Sequence, residues 1–222
     1  MPRAKIVCCD LGYADYEWTW NLQLKLVELR IQEKVGDLLL LVEHPHVFTL
    51  GRKGDEHNIL DWSIPVYRIE RGGDATYHGP GQMVAYPIID LNKRGLGVKE
   101  FVNILEESCI ATLRRLGVEA SRVEGMPGVW VGGKKIASIG LAVKHWVTYH
   151  GIALNVNTDL SYFTRIRPCG MESSVITSLQ KIKGRSYNLD EVKILFKEEF
   201  ARRLESDIED VMLESLLPAE AV

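Results

Sequence analysis

From Asp15 onward the apolar residues Tyr16, Trp20, Leu24, Val27, Ile31 and Val35 recur at steps of three and four, and Gly36 follows. That spacing predicts an amphipathic helix with a glycine stop. A second helix is predicted by Val98, Val102, Leu105, Cys109, Leu113 and Leu116, closed by Gly117. A third follows Asn188, which with Glu191 makes an N-cap pattern ahead of the stripe Val192, Leu195, Phe196, Phe200 and Leu204. The tail after Leu213 is expected to fray.

Between the helices the pattern changes to strands. Lys5–Asp10 reads as a short strand, and Asp37–Glu43 as a buried one, since Leu38 to Val42 is apolar without alternation. His44-Pro45-His46 ends it, because proline removes a ladder donor. Val47–Leu50, Val66–Glu70, Met83–Asp90 and Trp146–Asn157 are further strands. Gly128–Val131 and Lys134–Val143 flank Gly132-Gly133, a tight hairpin signal. Strict alternation beyond the hairpin puts Lys135, Ala137 and Ile139 on one face and Lys134, Ile136 and Ser138 on the other. One of the two lysines therefore points inward, and the pattern does not say which. Strands dominate the middle and helices the flanks, without repeat, linker or composition break. The chain is expected to form one α+β domain over residues 1–222, with a mixed or mainly antiparallel sheet.

Composition narrows the function classes. Of the 222 residues 46% are hydrophobic and 26% charged, and the net charge is −3, which makes no case for nucleic acid or an anionic membrane as partner. The longest aliphatic run is too short to span a bilayer, and no basic segment followed by an apolar one opens the chain, so a cytoplasmic protein is expected. The four cysteines, Cys8, Cys9, Cys109 and Cys169, form no Cys-x-x-Cys pair and read as thiols, neither zinc framework nor disulfide scaffold. His44 and His46 have no third ligand at a suitable spacing nearby, so no metal is expected.

The densest run of special residues is Arg71-Gly72-Gly73-Asp74-Ala75-Thr76-Tyr77-His78-Gly79-Pro80-Gly81-Gln82, read as a long loop between two apolar stretches. A reversal alone needs two to five residues. This run also carries donors suited to an anion or a carbonyl. Gly79-Pro80-Gly81 lacks the third glycine of a dinucleotide fingerprint, and Gly132-Gly133-Lys134-Lys135 is no phosphate loop. Among the thiols, Cys169 alone sits in a turn context, between Pro168 and Gly170. Its thiolate needs a cation or base, for which Lys134, Lys135, His78 and His150 are candidates. These residues point to thiol-dependent acyl chemistry.

Four ordered motifs resemble one family. Arg71-Gly72-Gly73-x-x-Thr76-Tyr77-His78-Gly79-Pro80-Gly81-Gln82 followed by Tyr86-Pro87 resembles the signature of the lipoyl(octanoyl) transferases, and Lys135-Ile136-Ala137-Ser138-Ile139-Gly140 their lysine motif. His150-Gly151-x-Ala153-Leu154-Asn155-Val156 and Pro168-Cys169-Gly170, with Thr177-Ser178-Leu179 beyond, complete it from about Asp10 to Leu179. The resemblance implies the fold of the biotin and lipoate protein ligases. It implies an octanoyl group moved from acyl carrier protein to a lysine on lipoyl domains of 2-oxoacid dehydrogenases and on the glycine-cleavage carrier protein, without cofactor. Cys169 would form the acyl thioester, with Lys135 and not Lys134 as its activating partner. Arg71, Gly72, Gly73, Asp74, Ala75, Thr76, Tyr77, His78, Ser138, Ile139, Gly140, Gly151, Ile152 and Ala153 would line the acyl site. Two related activities compete: an octanoyl amidotransferase acting between lipoyl domains, and an ATP-dependent lipoate-protein ligase. A non-catalytic acyl-protein binder is the third alternative.

Overall fold

The computed structural model describes residues 3–167 and 173–216. Its strands are β1 (Ala4–Tyr13), β2 (Asp37–Glu43), β3 (Val47–Leu50), β4 (Val66–Arg68), β5 (Ala75–His78), β6 (Gln82–Ile88), β7 (Ser121–Val123), β8 (Met126–Val131), β9 (Lys134–Lys144), β10 (Val147–Asn155) and β11 (Ser206–Asp210). The helices are α1 (Tyr16–Ile31), α2 (Leu91–Arg94), α3 (Val98–Arg115), α4 (Leu179–Lys183) and α5 (Leu189–Arg203), with short 3-10 turns between them. Among the described residues, eight strands form one sheet in the order β11-β1-β2-β6-β10-β9-β8-β7. β1 runs parallel to both β11 and β2, and every other pairing in that sheet is antiparallel. A second sheet, β4-β3-β5, lies apart from it. The architecture is the expected α+β fold with a mixed, mainly antiparallel sheet.

β2 explains why its sequence does not alternate. Leu39 and Leu41 join the core under α3 and α5, with Phe101, Leu105, Cys109, Val192, Phe196 and Phe200. Leu38, Leu40 and Val42 join the opposite core under α1, with Leu22, Leu26 and Val27. A strand covered on both faces has no polar side, and each fully buried leucine contributes about 1.5–3 kcal/mol. Cys8 and Cys9 point into these two different cores, and Cys109 is a core residue of α3.

Four details depart from the sequence pattern. First, α1 ends at Ile31, and its most buried positions include Thr19, Gln23 and Arg30, while Trp20, Leu24 and Ile31 are half-buried and pack against the edges of the cores. Each inward polar residue has a partner: Thr19 donates to the Asp15 carbonyl at 2.7 Å, Gln23 Oε1 accepts from the His150 N–H at 2.8 Å, and Arg30 pairs with Asp37 at 2.9 Å. Apolar spacing alone therefore rotates the predicted stripe.

Second, the glycine-rich run is not all loop, because Ala75–His78 is a strand paired antiparallel with β3. Third, a strand follows the last helix: β11 lies at the sheet edge, where its acidic, exposed residues give little apolar signal. Fourth, β9 carries a bulge. Trp130 pairs with Lys135 but Val129 pairs with Ala137, so one extra residue shifts the phase between them.

Candidate active site

The bulge decides which lysine faces inward. Lys134 is exposed, whereas Lys135 is 7% exposed. Strict alternation would separate Lys135 from Ser138, yet both border one cavity. The lysine stem runs past Gly128, whose φ is +128° and where a Cβ would stand 2.5 Å from Lys135 Cε and 2.5 Å from the Ala137 carbonyl oxygen. Only glycine leaves this path open. The Lys135 ammonium lies 5.6 Å from the centre of the Trp130 ring, a cation–π distance.

The cavity encloses about 620 Å³, counting its open mouth, and follows β9 and β10 from Lys135 and Ile176 toward His150. Its floor is made of small residues in register: Ser138 faces Ala153, and Gly140 faces Gly151. Val84, Ile139 and Ile152 add apolar wall, and Thr76, Tyr16, Tyr86 and His78 complete it.

Arg71 borders the cavity with Gly72, Gly73 and Ala75, but its guanidinium donates inward to the loop. It reaches the Thr49 carbonyl at 2.7 Å, the Asp74 carbonyl at 2.7 Å, the Gly72 carbonyl at 3.0 Å and Thr49 Oγ1 at 2.8 Å. These bonds make Arg71 the internal brace of the glycine loop. Its stem crosses Gly140, where a Cβ would meet Arg71 Cδ at 2.9 Å and the Gly72 oxygen at 3.0 Å.

Most residues expected at the acyl site, and Lys135, border the cavity: Arg71, Gly72, Gly73, Ala75, Thr76, His78, Ser138, Ile139, Gly140, Gly151, Ile152 and Ala153. Asp74 and Tyr77 do not. The Asp74 carboxylate turns back to cap the preceding turn, accepting from Asn58 Nδ2 at 2.6 Å and the Ala75 N–H at 2.7 Å. Tyr77 alternates away along β5 into a separate core, where its hydroxyl meets His46 Nδ1 at 2.8 Å and its ring stacks on Tyr162. Cys169, with Pro168 and Gly170, lies outside the described residues. The described chain beyond it returns to the site: Ile176 bridges Lys135 in parallel and borders the cavity.

Tyr16, Val84, Tyr86, His150 and Ile176 border the cavity without having been expected in the acyl site. Tyr86 and His150 stood within the quoted motifs, whereas Tyr16 read as part of a helix stripe. A polar chain not foreseen from sequence also joins the walls. Gln82 Nε2 donates to the Tyr77 carbonyl at 3.1 Å and to Asn155 Oδ1 at 2.9 Å, which leaves Gln82 Oε1 to accept from His78 Nδ1 at 2.8 Å. His78 thus carries its proton on Nδ1. Asn155 Nδ2 continues the chain to the Thr177 carbonyl at 3.1 Å.

The histidines here are neutral. Burial lowers His78 to about 3, with His44 nearby adding to the effect, and burial lowers His44 to about 4. Burial also lowers His150, against an opposing pull from Glu70, whose carboxylate lies 3.4 Å from His150 Nε2. Among the described residues no three His, Cys, Asp or Glu side chains cluster as metal ligands.

Residues 15–201 match the family model of the lipoyl protein ligase A/B catalytic domain. The chain is 50% identical over 199 residues to a probable octanoyltransferase of Pyrobaculum calidifontis, covering 90% of this chain and 85% of the relative. It is 48% identical over 184 residues to an octanoyltransferase of Pelobacter propionicus, covering 83% and 88%. Among solved structures, a lipoate-protein ligase A bound with ATP superposes with a TM-score of 0.73 at 17% identity, covering 96% of this chain and 92% of that one. At that identity the likeness is one of fold.

Proposed function

The chain belongs to the lipoyl protein ligase A/B catalytic domain family, and from that membership we propose that it is an octanoyltransferase of protein lipoylation. It takes an octanoyl group from acyl carrier protein and passes it through a Cys169 thioester to a lysine of lipoyl-domain proteins. The observation that carries this is the 50% identity to a probable octanoyltransferase across 90% of the chain. The acceptors are the lipoyl domains of 2-oxoacid dehydrogenases and the glycine-cleavage carrier protein. No described helix is long and apolar enough to cross a membrane.

The chemistry balances without ATP. The Cys169 thiolate attacks the carbonyl carbon of the donor thioester, the bond to the carrier sulfur breaks, and that sulfur takes up a proton. The acceptor lysine amine then attacks the enzyme thioester, the carbon–sulfur bond breaks, the Cys169 sulfur leaves and takes up the proton that the amine gives up, and an amide forms. The amide is the more stable product and drives the second half. Lys135 is the activating partner of Cys169. A backbone N–H of the glycine-rich segments stabilises the tetrahedral oxyanion, a contribution of about 2.7–4 kcal/mol for one donor. The apolar walls Val84, Ile139 and Ile152 and the small floor residues suit an unbranched acyl chain. Its six methylenes contribute on the order of 5 kcal/mol, at about 0.8 each.

Intact-protein mass after mixing with octanoyl carrier protein tests this. The expected result is an octanoyl adduct formed without ATP, absent in Cys169→Ser, and discharged by an added lipoyl domain. An adduct that persists in Cys169→Ser rejects the nucleophile. Transfer of free octanoate that requires ATP favours the ligase activity instead.

A further inference from the structure

We infer that Glu106, on α3 and outside the cavity lining, is a positioning residue for Lys135 and acts by holding the backbone of Gly128. This rests on the assignment of Lys135 to the acyl transfer. Glu106 belongs to α3, is 5% exposed, and does not border the cavity. A carboxylate buried to that degree is costly unless it is well bonded. Glu106 Oε1 accepts the Gly128 N–H at 2.9 Å. β8 pairs with β7 at Met126 and Trp130 and with β9 from Val129 onward, so this bond holds the strand at Gly128, where neither ladder has a paired residue.

The anchored point is the wall on which the lysine rests. A Cβ on Gly128 would lie 2.5 Å from Lys135 Cε and 3.3 Å from Nζ, so the backbone there is in contact with the end of the side chain. The Trp130 ring, two residues along the same strand, is 5.6 Å from that ammonium. Any shift of Gly128 therefore moves the surface against which the end of the Lys135 side chain rests. The buried carboxylate transmits the position of α3, a helix packed into the core by Phe101, Leu105 and Cys109, to the lysine.

The test compares Glu106→Ala with Glu106→Gln, whose amide oxygen can still accept the Gly128 N–H. Single-turnover acylation by octanoyl carrier protein is followed by intact mass across donor concentrations. In Glu106→Ala the maximal rate is expected to fall about 10–100-fold, as for a misplaced catalytic group, with half-saturation within about twofold of wild type. Glu106→Gln is expected to recover the rate to within about threefold. A second readout is independent of turnover: site-resolved mass spectrometry of lysine labelling by an amine-directed reagent. Lys135 labels at an altered rate in Glu106→Ala and at the wild-type rate in Glu106→Gln.

Should Glu106→Ala fail to fold, Glu106→Met fills the space without accepting a bond and carries the same expectations. Wild-type acylation and labelling in the Ala or Met variant overturn the inference, as does a Gln variant as slow as the Ala one. If the wild-type protein forms no octanoyl adduct, the function assignment fails, and Lys135 labelling alone decides the role of Glu106.

Discussion

The backbone N–H of Thr177 donates to the carbonyl oxygen of Lys135 across 2.9 Å, beside the parallel bridge from Lys135 to Ile176. The strand that carries the lysine thus also holds the chain that follows Cys169. Asn155 takes the other end of the same residue, donating to the Thr177 carbonyl at 3.1 Å, and passes through Gln82 to His78. One hydrogen-bonded path connects both walls of the cavity to that returning segment.

Asn155→Ala breaks this path in the middle. Asn155 is 3% exposed, so the Gln82 amide and the Thr177 carbonyl lose a buried partner. Each unsatisfied buried group costs about 1–3 kcal/mol. Urea denaturation should register a loss in that range or above, together with slower acylation. A variant within about 0.5 kcal/mol of wild type would show that water or a neighbour replaces the amide without penalty.

Lys135→Ala removes the lysine that borders the cavity beside Ile176 and leaves the apolar walls in place. The acylation rate is expected to fall about 10²–10⁴-fold, the range for a positioned proton-transfer group. Donor half-saturation should stay close to wild type. A Lys135→Ala protein acylated at the wild-type rate would remove the lysine from the mechanism.

Much of this site was legible because its residues are chemically unusual for their positions. Gly72, Gly73 and His78 stand in the run densest in special residues, whereas Gly140 and Gly151 enter only through the resemblance of their motifs, as does the choice of Lys135 among the candidate lysines, and all six border one cavity. The unbroken apolar run of β2 likewise announced a strand covered on both faces. What stayed hidden depends on geometry that no local pattern encodes. Strict alternation placed Lys135 opposite Ser138, and only the bulge brings them together. Tyr16 has the spacing of a core residue, yet it faces the cavity from the first turn of α1. Asp74 and Tyr77 belong to the motif but serve the loop and the small sheet, because β5 alternates within a stretch that looks like pure loop. Glu106 sits among the charged residues of a helix and carries no signal of burial.

Gly140→Ala tests the floor of the slot. The added methyl would stand 2.9 Å from Arg71 Cδ and 3.0 Å from the Gly72 oxygen, and the arginine is tied by its bonds to Thr49 and Asp74. Overpacking of this kind costs about 1–3 kcal/mol. A lowered thermal midpoint and weaker donor saturation are expected together. Unchanged saturation would mean that the acyl chain does not pass over Gly140.

Thiol labelling separates the cysteines. Burial raises Cys8 to about 12, with Asp210 adding to it, and raises Cys9 to about 11, with Asp10 adding to it. Burial also pushes Cys109 far up. These three are thiols near neutral pH and are shielded from reagents. Iodoacetamide should modify the native protein at Cys169 alone, with the other three reacting only after unfolding. Native labelling at Cys109 would contradict its place in the core.

The buried histidines set a pH dependence of stability. An unfolded chain protonates histidine near 6.5, whereas folded His44 and His78 resist protonation down to about 4 and about 3. Above 6.5 neither state binds the proton, and the stability is complete. Below it the unfolded state gains protons that the folded state refuses, so stability falls as pH falls. Each such histidine contributes a slope of up to about 1.4 kcal/mol per pH unit. Ordinary carboxylates titrate lower, near 4, so the first decline belongs to the histidines. Urea midpoints measured from pH 6.5 down toward about 5 should decrease steadily. His78→Gln should flatten that slope by about one proton, since a glutamine there cannot be charged by acid in the unfolded chain. A wild-type midpoint that stays level over this interval would mean that the folded protein also takes up the protons, and that these rings are not held neutral by their burial.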